Sequence, residues 1–176
     1  MPTAIELGNV AGLRLTAEPS ALAGSLALWG ALTGVAARAL AAPRGAAAIG
    51  GLIGVGLHWA SALVHQLGHA RAARRTGHPM AGIRCFALLS ASLYPPDEPS
   101  LPGAVHRRRA LGGPLASLLL ALGLAPVALG LRRRGGLPWW LAAFVVAVNL
   151  LVFTLGALLP LSFSDGSTLL RRRGKP

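Results

Sequence analysis

Hydrophobic and charged positions along this chain fall in blocks rather than on faces. No Asp, Glu, Lys or Arg occurs from Pro19 to Ala37, from Gly45 to Ala70, from Ala110 to Leu131, or from Gly135 to Ser164. Each block reaches the roughly 20 residues that an α-helix needs to cross the apolar layer of a bilayer. The pattern predicts an all-α membrane protein, a single polytopic domain with about four transmembrane helices, at about 19–42, 45–70, 110–131 and 138–161. Pro19 and Ser20 suit the opening of the first helix. The segment before it, Ile5 to Thr16 with Gly8 and Gly12, reads as a short strand or turn. Between helices two and three, Ile83 to Tyr94 is apolar, follows Gly77, Pro79 and Gly82, and stops at Pro95-Pro96. That punctuation predicts a small β-strand or hairpin near the membrane surface.

Composition agrees with a membrane protein. Of 176 residues, 53% are hydrophobic and 12% charged, about half the charged share of a soluble domain. The net charge of +12 raises the question of nucleic acid. The arginines, however, lie in runs at span ends, such as Arg107-Arg108-Arg109 and Arg171-Arg172-Arg173, with no interleaved aromatic residues to stack on bases, so no nucleic-acid partner is expected. Ala39-Leu40-Ala41 resembles a signal-cleavage site, but the apolar run before it is too long for a signal sequence and its leader contains Glu6 and Glu18. The single cysteine, Cys85, leaves the redox compartment open.

Four crossings place the N-terminus, the 71–109 loop and the C-terminus on one side. Twelve of the 17 basic residues fall there: Arg14, seven in the central loop and four in the tail. Lys and Arg bias then makes this side cytoplasmic, in a multi-pass protein of a cell membrane. Trp139 and Trp140 fit an interfacial aromatic belt at the outer start of span four. The Ala- and Arg-rich composition points to a bacterial source.

Span two ends in His65-Gln66-Leu67-Gly68-His69. Residues four apart share a helical face, so both imidazoles can meet one ion, and two His at this spacing form the metal-binding part of a His-Glu-x-x-His arrangement. A His pair on an apolar helix can also serve only interhelical hydrogen bonds. Spans two and four run in the same direction, which brings Asp165, at the end of span four, to the same leaflet as the histidines. Ionisable groups at membrane depth are costly and usually functional. A shared metal is the simplest reading, although residue chemistry alone leaves its identity open.

At these residues the chain resembles the site-2 protease family of intramembrane zinc metalloproteases. Gly8 to Arg14 is similar to the strand before that family's first core helix, and His65 to His69 occupies the place of its metal motif. Gly112-Gly113-Pro114 resembles its Gly-Pro signature, and Leu158-Leu159-Pro160 followed by Asp165-Gly166 resembles its Asp-Gly motif. The resemblance implies one Zn²⁺ held by His65, His69 and Asp165, and a membrane-embedded endopeptidase. Its substrate would be a transmembrane segment of a single-pass protein, for bacterial relatives a membrane-bound regulator such as an anti-sigma factor. The substrate would unwind and pair as a strand along Ile83–Tyr94, with Ile83, Arg84, Cys85, Phe86, Ala87 and Leu88 as binding residues. The short gaps between motifs imply a minimal core with no accessory PDZ-like or CBS-like domain.

The chain departs from that pattern at two positions. The family has glutamate at position 66, which takes a proton from the attacking water and delivers it to the leaving amine. Gln66 has the same shape and accepts no proton, so an assembled but inactive protease is expected, with a loss of about 10²–10⁴-fold. Such a change is what one would introduce to stop turnover; a natural pseudoprotease that binds membrane helices without cutting them is the alternative. Ala157 stands where the family usually has asparagine. Asn149, about two turns earlier, is a candidate polar substitute, or an interhelical hydrogen-bonding residue. An unrelated membrane protein using His58, His65 and His69 for haem or metal is the remaining rival. Asp97 and Glu98, between prolines, are expected to be solvated.

Overall fold

The computed structural model describes residues 4–159 and Asp165. Pro160, Ser164, Gly166, Ser167 and the tail arginines lie outside the described residues. Four helices are long and apolar enough to cross a membrane. They are α1 (Pro19–Ala39), α2 (Arg44–Arg75), α3 (Gly103–Arg132) and α4 (Gly136–Ala147), which continues as a π-helical stretch over Val148–Gly156. Within the described residues, each charge-free block thus forms a helix. The ends of α2 and α3 run past the blocks into arginine-bearing turns, because a helix continues through charges once its axis leaves the apolar layer.

The helices meet through small residues, as bilayer packing requires. A Cβ on Gly51 would stand 3.0 Å from the backbone of both Trp29 and Thr33 on α1. Gly68 and Gly112 face each other so closely that a Cβ on either would overlap the other's carbonyl. This contact fixes α2 against α3 at the level of the His65–His69 turn. Large aliphatic side chains such as Leu22, Leu52, Leu119 and Leu129 point outward, the arrangement of a bundle solvated by lipid.

The β structure is larger than the sequence suggested. Strands β1 (Ile5–Val10), β2 (Leu13–Ala17), β3 (Gly82–Phe86) and β4 (Leu89–Leu93) form one sheet in that order. β2 pairs parallel with β3, from Arg14 opposite Gly82 to Ala17 opposite Cys85. The N-terminal hairpin therefore covers an edge of β3 that would otherwise be open. Leu13 and Ile83 are each 1% exposed and pack on Ala70, Ala73 and Met80, which fastens the sheet to the end of α2.

The β3–β4 hairpin packs against the helices. Its tip, Ala87–Leu88, reaches α1 at Gly24, where a Cβ would overlap the Ala87 carbonyl, and α2 at His58, whose Nε2 donates to Leu88 O at 3.0 Å. His58 precedes His65 by seven residues, about 10 Å along the helix. At the tip, Ala87 N also donates to Ser20 Oγ at 3.2 Å.

Candidate metal centre

Three side chains from distant parts of the sequence converge beside Gly113. His65 and His69 are buried, and their Nε2 atoms lie 3.0 Å apart. Asp165 Oδ2 is 3.5 Å from the first and 3.3 Å from the second. A tetrahedral ion with bonds of about 2.0–2.1 Å separates its ligands by about 3.3 Å. The observed triangle matches that within a few tenths of an ångström. Among the described residues this is the group of His, Cys, Asp and Glu side chains that could hold a metal.

The surroundings prepare the donor atoms. His69 Nδ1 is 2.8 Å from Arg109 O; a carbonyl only accepts, so Nδ1 carries the proton and Nε2 presents its lone pair. His65 Nδ1 is 3.1 Å from Ser117 Oγ, which can accept in the same way. Ser117 is fully buried, one turn beyond Gly113 on α3. Gly113 itself leaves the space: a Cβ there would overlap His69 Nε2 and come within 2.6 Å of His65 Nε2. Donor chemistry, spacing and this cradle all fit a zinc ion.

Gln66 is buried at 3% exposure and belongs to the sheet as much as to the helix. Its Nε2 donates to Ser90 O at 3.1 Å and to Ser90 Oγ at 3.0 Å. Ser92 Oγ donates to its Oε1 at 2.7 Å. The sheet edge follows from the ladder. Leu93 O accepts from Ala81 N on the β3 side, so alternation turns the main-chain groups of Ser90 and Ser92 away from β3.

This changes where a strand could be added. Ile83, Arg84, Cys85 and Phe86 lie in β3, and Ile83, Arg84 and Cys85 pair with both β2 and β4; they offer an incoming chain no free main-chain edge. Ala87 and Leu88 form the turn. Ile83 and Cys85 also line an apolar cavity of about 400 Å³ with Leu15, Leu22, Trp59 and Leu63. The free edge within Ile83–Tyr94 is β4.

Several residues that the sequence left bland turn out to support the site. Arg109, read as one of a run at a span end, is buried; its guanidinium donates to Glu98 at 2.9 and 2.5 Å and to His78 O at 2.6 Å, and lies over the Tyr94 ring. Glu98 is correspondingly paired rather than solvated, and the Arg109 guanidinium holds its carboxyl below the usual range. Asn149 donates to Ser61 Oγ at 2.8 Å and to Val145 O, an interhelical link outside the metal group. Buried positions 148, 149, 153 and 154 recur five apart, the span of the i→i+5 hydrogen bond of a π-helix, and Phe153 lies against the rings of both His58 and His65. His58 is spent on Leu88 O and is not one of the converging ligands.

The arrangement of helices, sheet and site has a counterpart among solved structures. The chain is similar to a site-2 protease from Methanocaldococcus jannaschii, with a TM-score of 0.67 and 18% identity over 96% of this chain and 70% of that one. The likeness is one of fold, which in this chain comprises four membrane-length helices and a small four-stranded sheet. No family model and no curated protein matches the sequence.

Proposed function

We propose that this chain is built as an intramembrane zinc endopeptidase of the site-2 type, acting on transmembrane segments of single-pass proteins and carrying Gln66 in the general-base position. The observation that supports it most is the triangle of His65, His69 and Asp165 donor atoms beside Gly113. When bound there, zinc supplies Lewis acidity toward a peptide carbonyl and toward water. The chain's own residues do the rest. Arg109 O and Ser117 orient the imidazoles, and the open edge of β4 offers main-chain groups to an unwound substrate strand. Gln66 cannot take the proton, so turnover falls by about 10²–10⁴-fold. We place the site near the cytoplasmic face of a cell membrane, from the arginine bias, and take a membrane-bound regulator such as an anti-sigma factor as the substrate class.

A second reading has a specific observation behind it. The surroundings of Gln66 complement an amide: Ser90 O requires a donor, which a carboxylate cannot provide. This favours a chain that naturally holds metal and binds membrane helices without cutting them. The Gln66→Glu protein, reconstituted in lipid vesicles with a single-pass substrate, separates the two. Cleavage products seen by mass spectrometry support the protease; zinc bound without cleavage supports the non-catalytic binder.

A further inference from the structure

The metal centre leaves unexplained a second feature of α2. Val64, Leu67, Gly68, Arg71, Arg74 and Arg75 occur at intervals of three and four and so form a continuous stripe on that helix. Together with Ala116 of α3 they line an open groove with a volume of about 490 Å³. The stripe is apolar over Val64–Gly68 and cationic over Arg71–Arg75, and the three arginine residues are exposed. Arg74 donates one bond, to Ala11 O. Among the described residues no carboxylate pairs with Arg71, Arg74 or Arg75; the acids that do pair with arginine are Glu18, with Arg84, and Glu98, with Arg109.

We infer that this groove is a binding site for an anionic glycerophospholipid. Its phosphate would lie among Arg71, Arg74 and Arg75, and an acyl chain would run along Val64, Leu67, Gly68 and Ala116. Three points select that occupant. Guanidinium groups match phosphate oxygens in geometry as well as charge. The change from apolar to cationic follows the axis of a membrane-length helix toward its end, in the order of acyl chain and headgroup. The apolar floor exists because Gly68 and Gly112 let the helix backbones meet, leaving a shallow trough where larger residues would protrude. The inference rests on α2 crossing a bilayer and is independent of zinc and of catalysis.

The test is native mass spectrometry of the full chain released from micelles containing phosphatidylglycerol or phosphatidylcholine, repeated with Arg71→Gln/Arg75→Gln. The parent should retain one phosphatidylglycerol in preference to phosphatidylcholine. The double variant should lose roughly tenfold or more of that preference, at about one favourable arginine contact each, with helix content and zinc content unchanged. An Arg132→Gln/Arg133→Gln control, at the far end of α3, should retain it. Equal retention of both lipids by the parent, or undiminished preference in the double variant, would overturn the proposal. So would displacement of the lipid by millimolar inorganic phosphate, which would make the groove an anion site with no use for an acyl chain.

Discussion

The side-chain amide of Gln66 donates to the outward-facing carbonyl of Ser90 at 3.1 Å. A helix residue at the position of a catalytic base thus caps a free main-chain group on the edge strand that would receive a substrate. The same amide accepts from Ser92, so α2 and β4 are tied at two successive outward residues. Gln66→Glu replaces the donor to Ser90 O by an acceptor, at a cost of about 1–3 kcal/mol for the buried group left unpaired. Hydrogen exchange at the Ala91 and Leu93 amides, which face β3, should accelerate in that variant and stay slow at Ile83 and Cys85. Unchanged exchange at Ala91 would show that the amide does not hold the edge.

Gly113 should be intolerant of any side chain. In Gly113→Ala the new methyl would occupy the space between the two imidazoles, and zinc content should fall toward zero while circular dichroism retains its helical signal. A zinc-replete Gly113→Ala protein would mean that the ion binds elsewhere.

Ser117 is expected to set metal affinity rather than stoichiometry. Ser117→Ala leaves His65 Nδ1 without its partner and should weaken zinc by roughly 10–100-fold, as read by competition with a chromophoric chelator. Helix content should not change.

The Glu98–Arg109 pair predicts an acid-sensitive element. Arg109 holds the Glu98 carboxyl below its ordinary value. Its contribution is therefore complete above the unfolded glutamate pKa of about 4.3 and is lost as pH falls through the lower folded value. Glu98→Gln should lower the melting temperature at neutral pH by roughly 5 °C. It should also flatten the decline between about pH 5 and 3 that the parent shows.

Much of the membrane architecture was legible because bilayer thickness writes itself into the sequence as charge-free blocks. The pairing of Arg14 with Gly82 was not legible, since parallel strands from distant segments leave no local pattern. For the same reason the Ile83–Leu88 stretch read as an edge, when β2 in fact closes its Ile83–Cys85 part. His65, His69 and Asp165 stood out as ionisable groups at membrane depth. Their supports did not: Ser117 is a small polar residue in an apolar run, and Arg109 was hidden in a triplet whose neighbours are surface residues. A serine one turn beyond Gly112-Gly113-Pro114, on the histidine-facing side of α3, was the available signal.

The most direct test of the central claim is the zinc content of the detergent-purified protein, set beside Asp165→Ala and His65→Ala/His69→Ala. About one zinc per chain is expected in the parent, with loss in both variants and helix content preserved. A folded parent without zinc, or one whose zinc survives both sets of substitutions, would contradict the three-ligand centre and the protease reading built on it.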